Sequence, residues 1–334
     1  MVMVTTTHRK KVVLVTGCTT GGIGYEVAKS FEKNGCKVYA AARRLDAITG
    51  IEGLDIEKIY IDVLDEKSIR EAVQHIIEKE GRIDVLFNNA GMGYVSPIID
   101  MNIESVRKLL DTNVTSVIMV SKEVAPYMIR QGSGLIANVG SVTAYVGTPW
   151  AALYAASKAA VHSISDNLRM ELAPFGVKVS IIAPGAIKSN IGNNNLKAFK
   201  LSETPNSTPT AKFASYVVSK CLKSSPPRYI DYGTLSGLFR FLRYMPWFII
   251  EFIWSRQFGL AVLRKNIKEG KLTVPVGISN ALKSCLRIVA GPIGAVDDLN
   301  DELEAQVHYD EKEADTAESE VQKTEMTVKE KFAG

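Results

Sequence analysis

From Lys11 to about Gly185 the chain alternates between short β-branched runs and helical patterns. The runs are KVVLV, CKVYAAA, IEKIYIDV, RIDVLFN, GLIANV and VKVSIIAP. Between them lie segments such as SIREAVQHIIEKEG, in which Ile69, Val73, Ile76 and Ile77 share one helical face and a glycine closes the pattern. A strand that is continuously apolar, rather than alternating, must be covered on both faces, and helices between successive strands supply that cover. The pattern predicts a doubly wound α/β fold around a parallel sheet.

After Gly185 the pattern changes. A polar stretch, NNNLKAFKLSETPNSTPT, precedes an expected helix near 211–223, a short strand RYIDY and an aromatic-rich segment over 236–264. Eight of the chain's 26 Phe, Tyr and Trp residues fall between Phe239 and Phe258. Residues 297–334 carry thirteen acids against four lysines, so the formal net charge of +4 divides into −9 there and +13 over residues 1–296. A segment that polar cannot bury enough apolar surface to offset its ordering entropy, and disorder is expected. Four parts follow: an amino-terminal extension over 1–10, an α/β domain over 11–235, an amphipathic helical extension over 236–296 and an acidic tail over 297–334.

Several function classes lose support on composition. Cys18, Cys36, Cys221 and Cys285 have neither the density of a disulfide scaffold nor CxxC spacing, which fits a reducing compartment. A first strand starting near Lys11 leaves too little chain ahead of it for the apolar core of a signal peptide, and none is expected. His8, His75, His162 and His308 show no ligand spacing, so no metal is expected. No GxSxG nucleophile elbow occurs, which leaves a serine hydrolase unsupported. Nucleic acid is not expected as a partner.

The first run leads into TGCTTGGIG, residues 16–24, and then a helix with Ile23, Val27 and Phe31 on one face. Gly17, Gly22 and Gly24 suit a loop whose backbone N–H groups approach a pyrophosphate at the positive end of the following helix. Four residues separate Gly17 from Gly22, one more than in the familiar form of this loop. The extra residue is expected to bulge within 18–21 and to bring the hydroxyl of Thr19 or Thr20 toward the adenosine ribose. The second strand ends AARR, with Ala42 where an NAD site places an acid for the ribose 2′-hydroxyl, and Arg43 after it. A guanidinium binds a 2′-phosphate that a carboxylate would repel, so the expected cofactor is NADP(H).

The segment LYAASKAAVHSISDNLRMEL places Tyr154 and Lys158 on one helical face, thirteen residues after Ser141 at the end of LIANVGS. Over about 11–189 the chain resembles the short-chain dehydrogenase/reductase family. The matching motifs, in order, are TGCTTGGIG, Asp62 with Val63, NNAG at 88–91, Asn113, Ser141, Tyr154 with Lys158, and Pro184 with Gly185. The resemblance implies a Rossmann-type fold and ketone reduction by hydride transfer. It makes Tyr154 the acid/base, with Lys158 favouring its phenolate and holding the nicotinamide ribose. Lowering a phenol from ~10 to about 7 takes roughly 4 kcal/mol, which Lys158 and a positively charged nicotinamide could jointly supply. Ser141 would bond the substrate carbonyl, and Asn113 would hold a water linking Lys158 to bulk. Asp62 and Val63 would flank the adenine, while Asn89, with Ala90 and Gly91, would close the cofactor floor. Ile187 and Ser189 would meet the nicotinamide amide.

On the substrate side, residues 186–228 carry seven basic residues (Lys188, Lys197, Lys200, Lys212, Lys220, Lys223 and Arg228) against Glu203 alone. One reading is a solvated loop; the other is a lid that favours an anionic substrate such as a phosphate. In 236–264, Arg240, Arg243, Pro246, Glu251 and Arg256 interrupt the apolar residues, so no run reaches the ~18 of a spanning helix. Trp247, Trp254 and the phenylalanines suit either a helical pair in the lipid headgroup region or a lid packed on the protein itself. Together GGIGYEVAKSFEKNG, AARRL and RYIDYGTLSGLFRFLRYMPWFIIEF resemble the fungal NADPH-dependent 1-acyldihydroxyacetone-phosphate reductases within the family. That resemblance implies a lipid substrate and a peripheral place on lipid droplets and the cytosolic face of the endoplasmic reticulum. A second copy of the chain is a further candidate partner. The alternatives are a reductase of a steroid- or retinal-type neutral lipid, and a non-catalytic lipid-droplet protein that keeps a nucleotide fold.

Overall fold

The computed structural model describes residues 9–189 and 207–257, together with Leu260, Arg264, Lys265 and Glu269. The acidic tail, Cys285, Lys197, Lys200 and nearly all of 258–296 lie outside the described residues. Seven parallel strands form one sheet: β1 (Val12–Thr16), β2 (Lys37–Ala42), β3 (Ile56–Tyr60), β4 (Val85–Asn88), β5 (Gly134–Val139), β6 (Val177–Pro184) and β9 (Tyr229–Tyr232). Their spatial order is β3-β2-β1-β4-β5-β6-β9, the doubly wound arrangement that the alternating pattern predicts. A two-stranded pair, β7 (Ile187–Lys188) with β8 (Thr208–Pro209), lies outside it.

Six helices cover the two faces: α1 (Ile23–Lys33), α2 (Glu66–Glu80), α3 (Ile103–Leu110), α4 (Ser116–Gln131), α5 (Ala152–Leu172) and α6 (Thr210–Cys221). All five β1 residues are buried. Val13 and Val15 join Val27, Phe31, Phe213 and Val217 of α1 and α6. Val12 and Leu14 face the other way, onto Ile69, Val73, Ile76, Val120 and Val124 of α2 and α4. This is the period-2 alternation of a strand, hidden in the sequence because both faces need apolar cover. Helix α2 has recognisable ends: Asp65 accepts from the Lys67 N–H, and Gly81 closes it at φ 74.

Two shorter helices follow β9, α7 (Ser236–Leu242) and α8 (Trp247–Gln257). Phe239, Leu242, Ile250 and Trp254 are buried, and the Trp254 indole donates to the Gly147 carbonyl at 2.9 Å. The compact unit that contains the sheet runs through Trp254. In the unit from Ser255 onward, the described residues show a Lys265–Glu269 ion pair one turn apart, at 3.9 Å. Among the described residues no helix is long and apolar enough to cross a membrane. Cys18, Cys36 and Cys221 are free and buried.

Candidate active site

β1 pairs with β2 on one side and β4 on the other, so the crossovers leave in opposite directions and a crevice opens at the carboxyl ends of the two strands. The glycine loop lies there. A Cβ on Gly24 would stand 2.5 Å from Asn89 Nδ2 and 2.7 Å from the Gly17 carbonyl oxygen, so the α1 start and the β1 end touch backbone to backbone. Gly22, the N-cap of α1, offers no side-chain cap, which leaves the first N–H groups of the helix without that partner. An anion is what such donors fit.

The extra loop residue is absorbed within 18–21. The Gly22 N–H donates to the Thr19 carbonyl at 2.9 Å, closing a turn in which Gly21 has φ 81. Cys18 turns inward, its thiol against the Val15 carbonyl at 3.2 Å. Thr20 packs onto the 47–49 segment: its hydroxyl accepts from the Thr49 N–H at 2.9 Å, and its own N–H donates to the Ala47 carbonyl. Thr19 is exposed at the rim of the loop. Arg43 is exposed just beyond β2, after buried Ala42.

The NNAG segment ends β4 and braces this loop. Asn89 Nδ2 donates to the Thr16 and Gly17 carbonyls at 2.9 and 3.1 Å. The Thr16 hydroxyl, which no sequence motif singled out, accepts from the N–H groups of Asn89 and Ala90. Asn88 is wholly structural: with Asn138, Ser121 and Ser165 it forms a buried hydrogen-bonded chain across β4, β5, α4 and α5. Asp62 caps its own turn, accepting from the Leu64 N–H, with Val63 partly buried beside it.

The catalytic set assembles from α5, β5 and a π-helical turn over Asp111–Thr115 between α3 and α4. Asn113 sits in that turn with no exposure. Its carboxamide accepts from the Met92 N–H at 2.8 Å and donates to the Met92 carbonyl and to Ser157 Oγ. Those three bonds use both amide donors and one of the two Oδ1 lone pairs, so the water that the family resemblance assigns to Asn113 has only the remaining lone pair or the backbone to meet. A Cβ on Gly91 would lie 3.2 Å from Asn113 Oδ1 and 3.5 Å from Lys158 Nζ, which places the three motifs side by side.

Lys158 is buried and donates to the Val139 carbonyl at 2.9 Å. Its Nζ is 5.8 Å from the centre of the Tyr154 ring. Burial pulls Lys158 down to about 8. Burial also pushes the Tyr154 phenol above its usual value, and the Ser141 hydroxyl opposes that rise. In the protein alone desolvation outweighs the Ser141 hydrogen bond; the phenolate expected of Lys158 acting jointly with a positively charged nicotinamide concerns the loaded site.

Ser141 Oγ accepts from the N–H and the hydroxyl of Thr143 at 3.2 and 2.9 Å. Sequence reasoning missed two residues here. His162 packs beneath the Ser141 backbone, and Trp150, four residues ahead of Tyr154, adopts φ 69 with its carbonyl accepting from the Ser96 N–H. Pro184 ends β6. Gly185 is pressed against the 233–234 backbone, where a Cβ would meet the Thr234 carbonyl oxygen at 2.2 Å. Ile187 pairs with Thr208 and Lys188 with Pro209, so both ends of the segment between them are held at this edge, with Ser189 next.

The family model for short chain dehydrogenase matches residues 11–199, more than half of the 334. The chain belongs to the short chain dehydrogenase family. Among its relatives, the NADPH-dependent 1-acyldihydroxyacetone phosphate reductase of Schizosaccharomyces pombe is 39% identical over 188 residues, covering 56% of this chain and 63% of that one. The enzyme of the same name from Saccharomyces cerevisiae is 28% identical over 285 residues, covering 78% and 95%. A solved short-chain dehydrogenase from Streptomyces avermitilis superposes with a TM-score of 0.63 at 26% identity, covering 79% of this chain and 99% of that chain.

Of the seven cations read as either a solvated loop or a basic lid, Lys197 and Lys200 lie outside the described residues and the other five divide in space. Helix α6 starts beside β8 and runs away from the carboxyl edge. The residues after it reach the opposite end of the sheet, where Lys178, near the start of β6, donates to the Ser224 carbonyl. Lys220 and Lys223 therefore lie far from the site. Arg228 is paired with Asp166. Lys188 and Lys212, both exposed, remain near the crevice.

Proposed function

We propose that this family member uses NADPH to reduce the ketone of an acylated dihydroxyacetone phosphate to 1-acylglycerol 3-phosphate. The observation that carries the reductase reading is the meeting of Tyr154, Lys158, Ser141 and Asn113 at the same strand edge as the glycine loop. The cradle fits a dinucleotide: close-packed glycines, an α1 start with no side-chain cap, and Ala42 rather than an acid at the end of β2. Arg43 with Thr19 suits the 2′-phosphate. Bound there, NADPH supplies a hydride to the carbonyl carbon. Ser141 Oγ then donates a hydrogen bond to the oxygen on which charge develops, and Tyr154 Oη delivers the proton. Lys158 stabilises the phenolate left behind, with Asn113 and Ser157 bracing the floor.

The substrate class is supported by the names of the two reductase relatives and by two exposed cations, Lys188 and Lys212, whose charge suits a phosphate. A peripheral place on a lipid surface belongs to the same proposal. Phe241 of α7, Tyr244 between the helices, and Trp247, Phe248 and Phe252 of α8 are each more than half exposed, beside Arg240 and Arg243. The test is NADPH oxidation by the purified chain with acyldihydroxyacetone phosphate, a keto-steroid and retinal, and with NADH as control. Turnover of the steroid or retinal in place of the phosphate ester would transfer the assignment to a neutral lipid.

A further inference from the structure

The carboxyl end of β5 is stapled to α5 at two places. One staple is Lys158 to the Val139 carbonyl at 2.9 Å. The other is His162, whose Nε2 accepts the Ser141 N–H at 3.4 Å. Tyr154, Lys158 and His162 stand four residues apart on α5, so a single helical face presents all three to the strand end. At 3.4 Å the second bond is long.

The imidazole is closely fitted. A Cβ on Gly140 would lie 2.1 Å from His162 Nε2, so the residue before Ser141 leaves its place to the ring. Tyr145 and Tyr229 meet the ring edge-to-face, with centroids 5.3 and 5.7 Å away. The ring is buried. Its burial, and the positive charges of Lys158 and Arg243, pull His162 down to about 4 against the opposing pull of Asp166. The ring is therefore neutral at ordinary pH, and an Nε2 that accepts leaves the proton on Nδ1.

We infer that His162 is a positioning residue for the reduction: its Nε2 acceptor holds the Ser141 backbone so that the serine hydroxyl keeps its place beside Tyr154. The inference rests on the reductase reading above. It goes beyond the motif residues, which include no histidine. The chemistry asks for an acceptor at one point, the Nε2 position, and not merely for a filled space.

The glutamine amide reaches about as far as Nε2, the asparagine amide about as far as Nδ1, and leucine fills the volume without an acceptor. In NADPH-dependent ketone reduction, His162→Leu and His162→Asn are expected to lower kcat about tenfold or more, with His162→Gln within about threefold of wild type. NADPH affinity, measured by fluorescence titration, should not change in any of the three. Equal activity of the Gln and Asn variants overturns the inference, as does a loss that appears as weaker NADPH binding. Should His162→Leu fail to fold, the Gln and Asn pair still decides. If wild type turns over no ketone, the reductase reading fails separately, and exchange of the Ser141 amide proton then tests the positioning by itself. That amide should be protected in wild type and His162→Gln and exchange faster in His162→Asn; equal rates refute it.

Discussion

Lys158 Nζ donates to the Val139 carbonyl at 2.9 Å, fastening the buried cation of α5 to the last residue of β5. The strand that leads to Ser141 and the helix that carries Tyr154 are thereby held in one register. The arrangement costs the lysine part of its basicity.

That cost is measurable as a pH effect. Folded, Lys158 releases its proton near 8 rather than 10.5. Between those values the unfolded chain binds more protons than the native one, so this group's contribution to stability rises with pH. Wild type should gain on the order of 2 kcal/mol relative to Lys158→Met between about pH 7.5 and 9.5. Denaturant unfolding of both proteins at the two pH values checks it, and parallel responses would contradict a buried, charged lysine.

Removing one oxygen separates chemistry from cofactor binding. Tyr154→Phe keeps the ring beside Lys158 but deletes the proton donor, and turnover should fall by roughly 10³ or more with NADPH affinity nearly intact. Single-turnover kinetics with a fluorescence titration read both quantities. Comparable NADPH consumption by mutant and wild type would remove Tyr154 from the mechanism.

Cofactor preference should reside in Arg43 and Thr19. Arg43→Ala is expected to weaken NADPH binding about tenfold or more while leaving NADH unaffected, since only the former carries the 2′-phosphate. Thr19→Val should act in the same direction and more weakly. Thr20→Val, which breaks the bond to Thr49, should disturb both cofactors alike. A selective effect at Thr20 would place the phosphate on the other side of the turn.

The split among the basic residues gives a paired comparison. Neutralising Lys188 and Lys212 with Gln should raise KM for a phosphorylated ketone severalfold, whereas the same change at Lys220 and Lys223 should not. Equal shifts from both pairs would show a general field effect and no local lid.

Deleting 236–264 is a poor test of lipid attachment, because Phe239, Leu242, Ile250 and Trp254 are buried and their removal would open the core. Replacing exposed Trp247, Phe248 and Phe252 with Ser leaves that core in place and should reduce sedimentation with anionic vesicles at least severalfold. Retained binding would exclude this face. Trp254→Phe, which loses the indole bond to Gly147, should instead cost about 1 kcal/mol of stability without affecting vesicle binding.

Periodicity and local chemistry were enough to place the seven strands of the main sheet, helices such as α1, α2, α5 and α6, the glycine loop and the YxxxK pair, though not β7, β8, α3 or α4. These depend on residues near one another in the chain, as when Asp65 and Gly81 bound α2 or Gly35 ends the turn after α1 at φ 80. What depends on contacts across space was legible only in the fold. Thr19 and Thr20 are adjacent and chemically identical, yet Thr49 captures one hydroxyl and leaves the other exposed. The basic residues after Gly185 read as one group until, among the described ones, the course of α6 separated Lys188 and Lys212 from Lys220 and Lys223. His162 looked like one scattered histidine because its partner, the Ser141 N–H, is a backbone group with no signature in side-chain identity. The protonation of the site follows the same division: motif spacing placed Tyr154 beside Lys158, but only the surrounding burial decided which way each pKa moved.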